Sequence, residues 1–170
     1  AINGAAVGIG ATMTCAMDIR LASEYARIGF VFNKIGITPE ACSTWFLSRI
    51  VGISRALEWC YTGDILKPEE ALEANYIKAI VPADQLLDEA YKIAQKIAQH
   101  SPVAIALTRQ MMYRNSAQPH PLEAHKIDSL AIFYQSLTDG KEGVQSFLEK
   151  RAPVFTSKGS TDMPDFFPWQ

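Results

Sequence analysis

The stretch from Ala1 to Met17 has the residue spacing that most directly suggests chemistry. Asn3-Gly4 is a turn pair, and Gly8-Ile9-Gly10 leads into small and apolar residues typical of a buried helix. A helix that begins at glycines has no side chain to cap its first N–H groups, and glycine lets a ligand approach the backbone closely. Because the helix dipole adds positive charge there, we predict an anion or oxyanion site. The alternative is that the glycines serve tight packing only.

The spacing continues along the chain in further motifs. The pattern Asn-Gly-X-Ala-X-Gly-X-Gly at residues 3–10 is followed by Met17-Asp18-Ile19-Arg20, Ala22-Ser23, Tyr61-Thr62-Gly63-Asp64, Glu70-Ala71 and Phe147-Leu148-Glu149-Lys150-Arg151. Over nearly the whole chain these motifs resemble the crotonase superfamily, the enoyl-CoA hydratases and isomerases. The resemblance implies an α/β crotonase-like (ClpP/crotonase) spiral of strand-strand-helix units with a C-terminal helical region.

The resemblance divides the chain into three parts. Residues 1–115 correspond to the central and later part of the crotonase-like core, 116–152 to a C-terminal helical trimerisation region, and 153–170 to a tail. In that family the Asn-Gly stretch lies well inside the fold, so the N-terminal third has no counterpart here. That third carries the other backbone donor of the oxyanion hole. We therefore expect an N-terminally truncated fold, inactive or nearly so as an isolated chain.

Crotonase-like enzymes polarise an acyl-CoA thioester carbonyl between two backbone N–H groups and then move protons with acids. The resemblance places the N–H of Ile9 as one donor, although a family glycine has become isoleucine. The hydratases of the family carry glutamates at the positions of Thr12 and Phe32. Neither residue here can make the proton transfers that water addition needs, which disfavours a standard hydratase mechanism.

Glu40 offers another route to proton transfer. Thr38-Pro39-Glu40 predicts a helix start, with Thr38 as the N-cap and Glu40 in the first turn. The segment from Gly36 to Ser43 is similar to the peroxisomal type of delta3,delta2-enoyl-CoA isomerase, where the glutamate is the single catalytic base. A double-bond shift needs one carboxylate that takes a proton from C2 and returns it to C4. Alternatively, Glu40 is a first-turn acid favoured by the helix dipole.

The run from Phe147 to Arg151 resembles the family segment that reaches the CoA adenine and phosphate, often of a neighbouring subunit. By this resemblance Phe147 contacts the adenine and Lys150 a phosphate, its ammonium acting as a point charge. An amphipathic helix end with C-terminal cations is the alternative. We expect no separate cofactor, because the CoA thioester is part of the substrate, and no metal.

These residues favour an acyl-CoA-transforming enzyme of fatty acid metabolism, an enoyl-CoA double-bond isomerase with a backbone oxyanion hole and a single glutamate base. Two alternatives stay open. One is an enoyl-CoA hydratase or another crotonase-type acyl-CoA reaction that uses different acids. The other is a crotonase-like protein that binds acyl-CoA or a partner without turnover.

The hydrophobic pattern predicts the strands and helices that position these residues. Strands are predicted at residues 1–2, 18–23, 26–32 and 77–81. Helices are predicted at residues 38–50, 54–63, 69–74, from 84, and at 102–114, 122–137 and 139–151. Gly52 is predicted to break the first from the second, and Ser101 to cap the helix at 102–114. In the helix at 122–137, apolar residues cover more than one face, which predicts an oligomer contact: Ile127, Leu130, Ile132, Phe133 and Leu137. The family resemblance implies that this oligomer is a homotrimer or a dimer of trimers. The tail aromatics are expected to dock on their own subunit or a neighbour: Phe155, Phe166, Phe167 and Trp169.

The composition fits one globular domain of 170 residues, 48% hydrophobic and 20% charged. A net charge of −2 implies no nucleic-acid or anionic-membrane surface, and no apolar run has the length of a membrane span. Cys15, Cys42 and Cys60 lack metal-ligand spacing, so they are interpreted as reduced core residues of a cytoplasmic protein.

Overall fold

The structure is a computed structural model that describes residues 1–168; Trp169, one of the tail aromatics predicted to dock, lies outside the described residues. The chain forms two compact units, residues 1–92 and the residues from 93 onward. The three-part division predicted from the family resemblance stays a prediction.

The first unit alternates short strands and helices. Its elements, in chain order, are β1 Ala5–Val7, α1 Ile9–Cys15, β2 Leu21–Ser23, β3 Arg27–Gly29, a 3-10 helix Val31–Ile35, α2 Ser43–Val51, α3 Ile53–Thr62, β4 Ile65–Leu66, α4 Pro68–Glu73, β5 Ala79–Val81 and the start of α5 Leu86–Ala98. One sheet has the order β1-β3-β4, with β1 parallel and β4 antiparallel to β3. A second sheet pairs β2 with β5 in parallel. The α/β architecture predicted from the sequence is confirmed.

Three aromatic side chains form the centre of the core of the first unit. Phe30 stacks on Trp59 at 6.0 Å between ring centroids, and Tyr76 meets both rings edge-on at 5.9 and 6.0 Å. All three are almost fully buried. Edge-on and stacked aromatic pairs add about 0.5–1.5 kcal/mol each beyond the burial of their area. Helix α3, strand β3 and the turn before β5 are thereby held together.

A buried polar cluster fixes the helix α1 to this core. The Tyr76 hydroxyl shares a 2.7 Å hydrogen bond with Thr14 Oγ1 and donates to the Ala11 carbonyl at 3.1 Å. Arg20 donates from Nε to the Tyr76 carbonyl at 2.6 Å and from Nη1 to the Thr14 carbonyl at 3.1 Å. The Arg20 guanidinium also lies 5.0 Å from the Tyr76 ring centroid. Burial raises the pKa of Tyr76, so its hydroxyl keeps the proton that it donates.

The second unit consists of helices and the tail. After the end of α5 come α6 Pro102–Asn115, α7 Pro121–Leu137 and α8 Asp139–Glu149. Ser101 caps α6 as predicted, because its Oγ accepts the N–H of Ala104 at 3.1 Å. The core of this unit consists of Val103, Leu107 and Ala131, with partly buried residues packed against it: Met111, Tyr134, Met163, Phe166 and Phe167. Docking of Phe166 and Phe167 on their own chain is therefore confirmed.

All four predicted strands differ from the observed ones: those predicted at 18–23 and 77–81 are shortened to Leu21–Ser23 and Ala79–Val81, and the other two differ more. Ile2 pairs with Ala22 only as an isolated bridge, and the strand that precedes α1 is Ala5–Val7. The strand predicted at residues 26–32 ends at Gly29, because the backbone then winds into the 3-10 helix, which Gly36 ends with a left-handed φ of 75°. The helix boundary at Gly52 agrees with the prediction, and Gly63, predicted as the last residue of the helix, is its left-handed C-cap.

The helix predicted to begin at Thr38 begins instead at Ser43. Ala41 and Cys42 both have a φ of 55°, and two consecutive residues in the left-handed region cannot continue a right-handed helix. Thr38 is not an N-cap, and Glu40 is not a first-turn acid. Cys42 is exposed at the N-cap of α2, so its interpretation as a core residue was wrong, whereas Cys15 is buried.

Replacing Tyr76 with phenylalanine tests the buried cluster. Tyr76→Phe keeps the ring but leaves the Ala11 carbonyl and Thr14 Oγ1 with one hydrogen-bond partner fewer, so the free energy of unfolding should fall by about 1–3 kcal/mol. Urea unfolding measures the change. Tyr25→Phe is the matched control, because Tyr25 is 65% exposed, and it should change stability little. Equal stability of the two variants would contradict the anchoring role of the cluster.

Candidate functional site

The N-terminus of α1 leaves backbone donors available, as its glycines predict. Gly8 is the N-cap, with φ 59° and ψ −122°, a conformation that glycine alone adopts without strain. Its N–H donates to the Gly29 carbonyl at 3.0 Å, which fixes the start of the helix to strand β3. Among residues 1–168, the N–H groups of Ile9 and Gly10 donate to no protein acceptor. The helix therefore begins with two unpaired donors.

The side chain of Glu40 reaches the same helix. Thr12 Oγ1 donates to Glu40 Oε1 at 2.6 Å, across 28 positions of sequence. Thr12 is fully buried one turn beyond Ile9, whereas Glu40 is exposed. Ile9 and Glu40, both predicted from the sequence, are thus brought to the same helix. Sequence reasoning considered Thr12 only as a position that lacks an acid and missed it as the hydrogen-bond partner of Glu40.

The segment that carries Glu40 is an irregular loop with a constrained backbone. The N–H of Ile37 donates to the Phe32 carbonyl at 3.2 Å, and the N–H of Ser43 donates to the Glu40 carbonyl at 3.0 Å. Ala41 and Cys42, both left-handed, lie between Glu40 and α2. Such conformations cost about 1–3 kcal/mol each and persist only where the surroundings hold them. The loop therefore presents Glu40 at the cost of local strain.

Phe32, at the second position where the family hydratases carry a glutamate, is 8% exposed in the 3-10 helix. Its side chain has no ionisable group, whereas Glu40 supplies a carboxylate that is hydrogen-bonded to α1. One carboxylate and two unpaired backbone donors can stabilise an oxyanion and carry one proton. Neither Thr12 nor Phe32 adds a second acid to this arrangement.

The two residues predicted to contact CoA lie in the second unit. Phe147 is 81% exposed near the end of α8, and Lys150 ends that helix with a left-handed φ of 56°. The neighbouring Arg151 donates to Glu142 Oε2 at 2.9 Å and to Glu149 Oε2 at 2.6 Å. These hydrogen bonds lower the pKa of Glu142 to about 2 and raise that of Arg151. Lys150 has no such partner within residues 1–168, so its ammonium is available to an anion.

The titratable residues between 1 and 168 also include two cysteine thiols whose pKa is shifted. Burial raises the pKa of the Cys15 and Cys60 thiols, which keeps both protonated and unreactive. In the part of the chain that the structure describes, no group of three or more His, Cys, Asp or Glu residues is arranged to hold a metal ion. Nor does any helix between residues 1 and 168 combine the length and apolarity needed to cross a bilayer.

Residues 1–158 match the family model described as enoyl-CoA hydratase/isomerase. The chain belongs to this family, and its fold is the crotonase fold predicted from the sequence. Enoyl-CoA hydratase ACTT3 of Alternaria alternata is 42% identical over 159 residues, which are 91% of this chain and 53% of that protein. The 1,2-epoxyphenylacetyl-CoA isomerase of Escherichia coli K12 is 36% identical over 93% of this chain and 60% of its own length.

Solved structures agree with the sequence relatives. An enoyl-CoA hydratase of Bacillus anthracis has a TM-score of 0.83 and 34% identity, covering 92% of this chain and 60% of its own. A structure from Geobacillus kaustophilus HTA426 has a TM-score of 0.84 and 30% identity, covering 92% of this chain and 61% of its own. The chain thus spans between half and two thirds of the length of these relatives.

Proposed function

We propose that the full-length protein is an acyl-CoA-transforming enzyme that moves the double bond of an enoyl-CoA. The observation that carries this proposal is the hydrogen bond from Thr12 to Glu40, because it holds one carboxylate beside the helix whose first N–H groups are unpaired. The absence of acids at Thr12 and Phe32 supports a reaction that needs a single base. The chain spans only part of its relatives, so the proposal concerns the whole protein.

In the proposed reaction the thioester oxygen of a 3-enoyl-CoA accepts a hydrogen bond from the N–H of Ile9. Glu40 takes a proton from C2, and the electron pair of that C–H bond moves into a dienolate with its charge on the thioester oxygen. The carboxylic acid of Glu40 then gives the same proton to C4, which leaves the double bond between C2 and C3. Stabilising the oxyanion contributes most, since removing one such donor typically costs about 10²- to 10³-fold in rate.

A hydratase is the second candidate, and the names of the relatives favour it. Enoyl-CoA hydratase ACTT3 is 42% identical to this chain, which is a closer likeness than the 36% of the named isomerase of E. coli. For this chain the hydratase reaction would need a second proton-transferring group beside Glu40, because Thr12 and Phe32 provide none. The site thus favours the isomerase, and both readings share an acyl-CoA substrate.

We further propose that the C-terminal unit contributes binding and assembly. Phe147 and Lys150 are assigned to the CoA adenine and to a phosphate, supported by their exposure and by the unpaired ammonium of Lys150. Ile127 is partly buried, but the apolar side chains that α7 leaves exposed support a homotrimer or a dimer of trimers: Leu130, Ile132, Phe133 and Leu137. Sedimentation of the full-length protein tests this assembly, and a stable monomer at micromolar concentration would contradict it.

Two further proposals concern the location of the protein and the activity of residues 1–170 alone. A cytoplasmic location, which cell fractionation can test, is proposed on the cysteine pattern. Residues 1–170 alone are proposed to be inactive or nearly so, because family members draw on a second backbone donor that lies outside the part this chain resembles. Turnover by residues 1–170 equal to that of the full-length protein would contradict this.

Replacing Glu40 tests the proposed reaction. Glu40→Gln keeps the shape of the side chain and removes the base, so turnover of a 3-enoyl-CoA by the full-length protein should fall at least ~10²-fold. The affinity for CoA should change little, because Glu40 is not assigned to CoA binding. Steady-state kinetics and calorimetric CoA binding measure the two effects.

Glu58→Gln in α3 is the matched control, because Glu58 is an exposed glutamate outside the proposed site, and it should retain full turnover. Isomerase turnover retained in Glu40→Gln would exclude Glu40 as the base. Water addition to a 2-enoyl-CoA would favour the hydratase instead. Tight acyl-CoA binding by the unaltered protein without turnover of either substrate would favour the non-catalytic alternative.

A further inference from the structure

We propose that Thr12 is the positioning residue for Glu40, fixing one carboxylate oxygen so that the other carries the proton. This inference rests on the proposed function, in which Glu40 is the base. Thr12 would not touch the reacting atoms and would act only through the orientation of the carboxylate.

The distances indicate which acceptor receives the single hydroxyl proton of Thr12. Its Oγ1 lies 2.6 Å from Glu40 Oε1 but 3.4 Å from each of the Gly8 and Ile9 carbonyl oxygens. Threonine in a helix usually donates back to a carbonyl three or four residues earlier. Here the shorter contact, to a carboxylate oxygen, is the stronger one, since hydrogen bonds to carboxylates are short and about twice as strong as neutral ones.

This hydrogen bond makes the two oxygens of Glu40 inequivalent. Oε1 accepts from Thr12, whereas Oε2 has no hydrogen-bond partner within residues 1–168. The terminal torsion of a glutamate is broad, so an untethered carboxylate would exchange its two oxygens freely. The tether leaves Oε2 in one orientation, and Oε2 is the oxygen that would take the proton from C2 and return it to C4.

The rigidity of the tether comes from the burial of Thr12. Thr12 is 0% exposed in α1, and its own N–H is bonded to the Gly8 carbonyl at 3.0 Å. Glu40, by contrast, is exposed on the constrained loop. Within residues 1–168, its backbone forms one hydrogen bond, in which its carbonyl accepts the N–H of Ser43. A buried donor on a helix therefore fixes a side chain whose own segment is irregular. Misplacement of a reacting group by 1 Å can cost about 10²-fold in rate, which sets the size of the expected effect.

The test compares Thr12→Val with Thr12→Ser in the full-length protein. Valine has the shape of threonine without its hydroxyl, so kcat on a 3-enoyl-CoA should fall about 10- to 100-fold while KM stays within about twofold. Serine keeps the donor and should stay within about threefold of the unaltered rate. A purely structural role would instead lower stability and shift kcat and KM together, without rescue by serine.

Two comparisons separate this inference from the proposed function. Thr12→Val combined with Glu40→Gln should be no slower than Glu40→Gln alone, because the tether acts only through Glu40. If Glu40→Gln abolishes turnover while Thr12→Val keeps the unaltered kcat, the positioning role is wrong and the proposed base stands. If Glu40→Gln stays active, the proposed function itself fails. Should Thr12→Val not fold, Thr12→Ala removes the same hydroxyl without added bulk, and unaltered kcat in that variant would overturn the inference equally.

Discussion

The structure of the first unit depends on the anchoring of α1 by Tyr76. A seven-residue helix is too short to be stable by itself, so its position must come from tertiary contacts. Tyr76 supplies them by combining an edge-on aromatic contact to the core with hydrogen bonds to Thr14 and Ala11. Arg20 completes the cluster by donating to the backbone carbonyls of Tyr76 and Thr14. The unpaired N–H groups of α1 are therefore presented by a rigid support.

The site combines residues from a helix with a residue from an irregular loop. The donors and Thr12 belong to a helix whose inner residues are buried, while Glu40 belongs to a loop with two left-handed residues. A loop that carries a reactive group on a rigid scaffold is the common arrangement in enzymes. In this chain a hydrogen bond between Thr12 and Glu40 connects the two parts.

Local rules accounted for much of the fold but not for the contact between Thr12 and Glu40. The glycines at residues 8–10, the break at Gly52 and the cap at Ser101 were readable, because each acts on its own neighbours. Thr38-Pro39-Glu40 had the signature of a helix start, yet the left-handed Ala41 and Cys42 prevent it. The conformational preferences of alanine and cysteine do not predict a left-handed backbone. Ile9 and Glu40 were identified by family resemblance, whereas the partner of Glu40 lies 28 positions away and needed the structure.

Because Glu40 lies outside any helix or strand, its segment is freer than helix α1 to accept substitutions during evolution. Within residues 1–168 no ladder or helix hydrogen bond includes Glu40, so substitutions in residues 37–42 would alter the proposed base without removing a buried apolar side chain. Helix α1 has no such freedom, because its inner residues are packed in the core. Mutations in this loop would thus change the proposed acid and its position while α1, the proposed oxyanion support, is preserved, so that a change in the proposed reaction would cost little in folding.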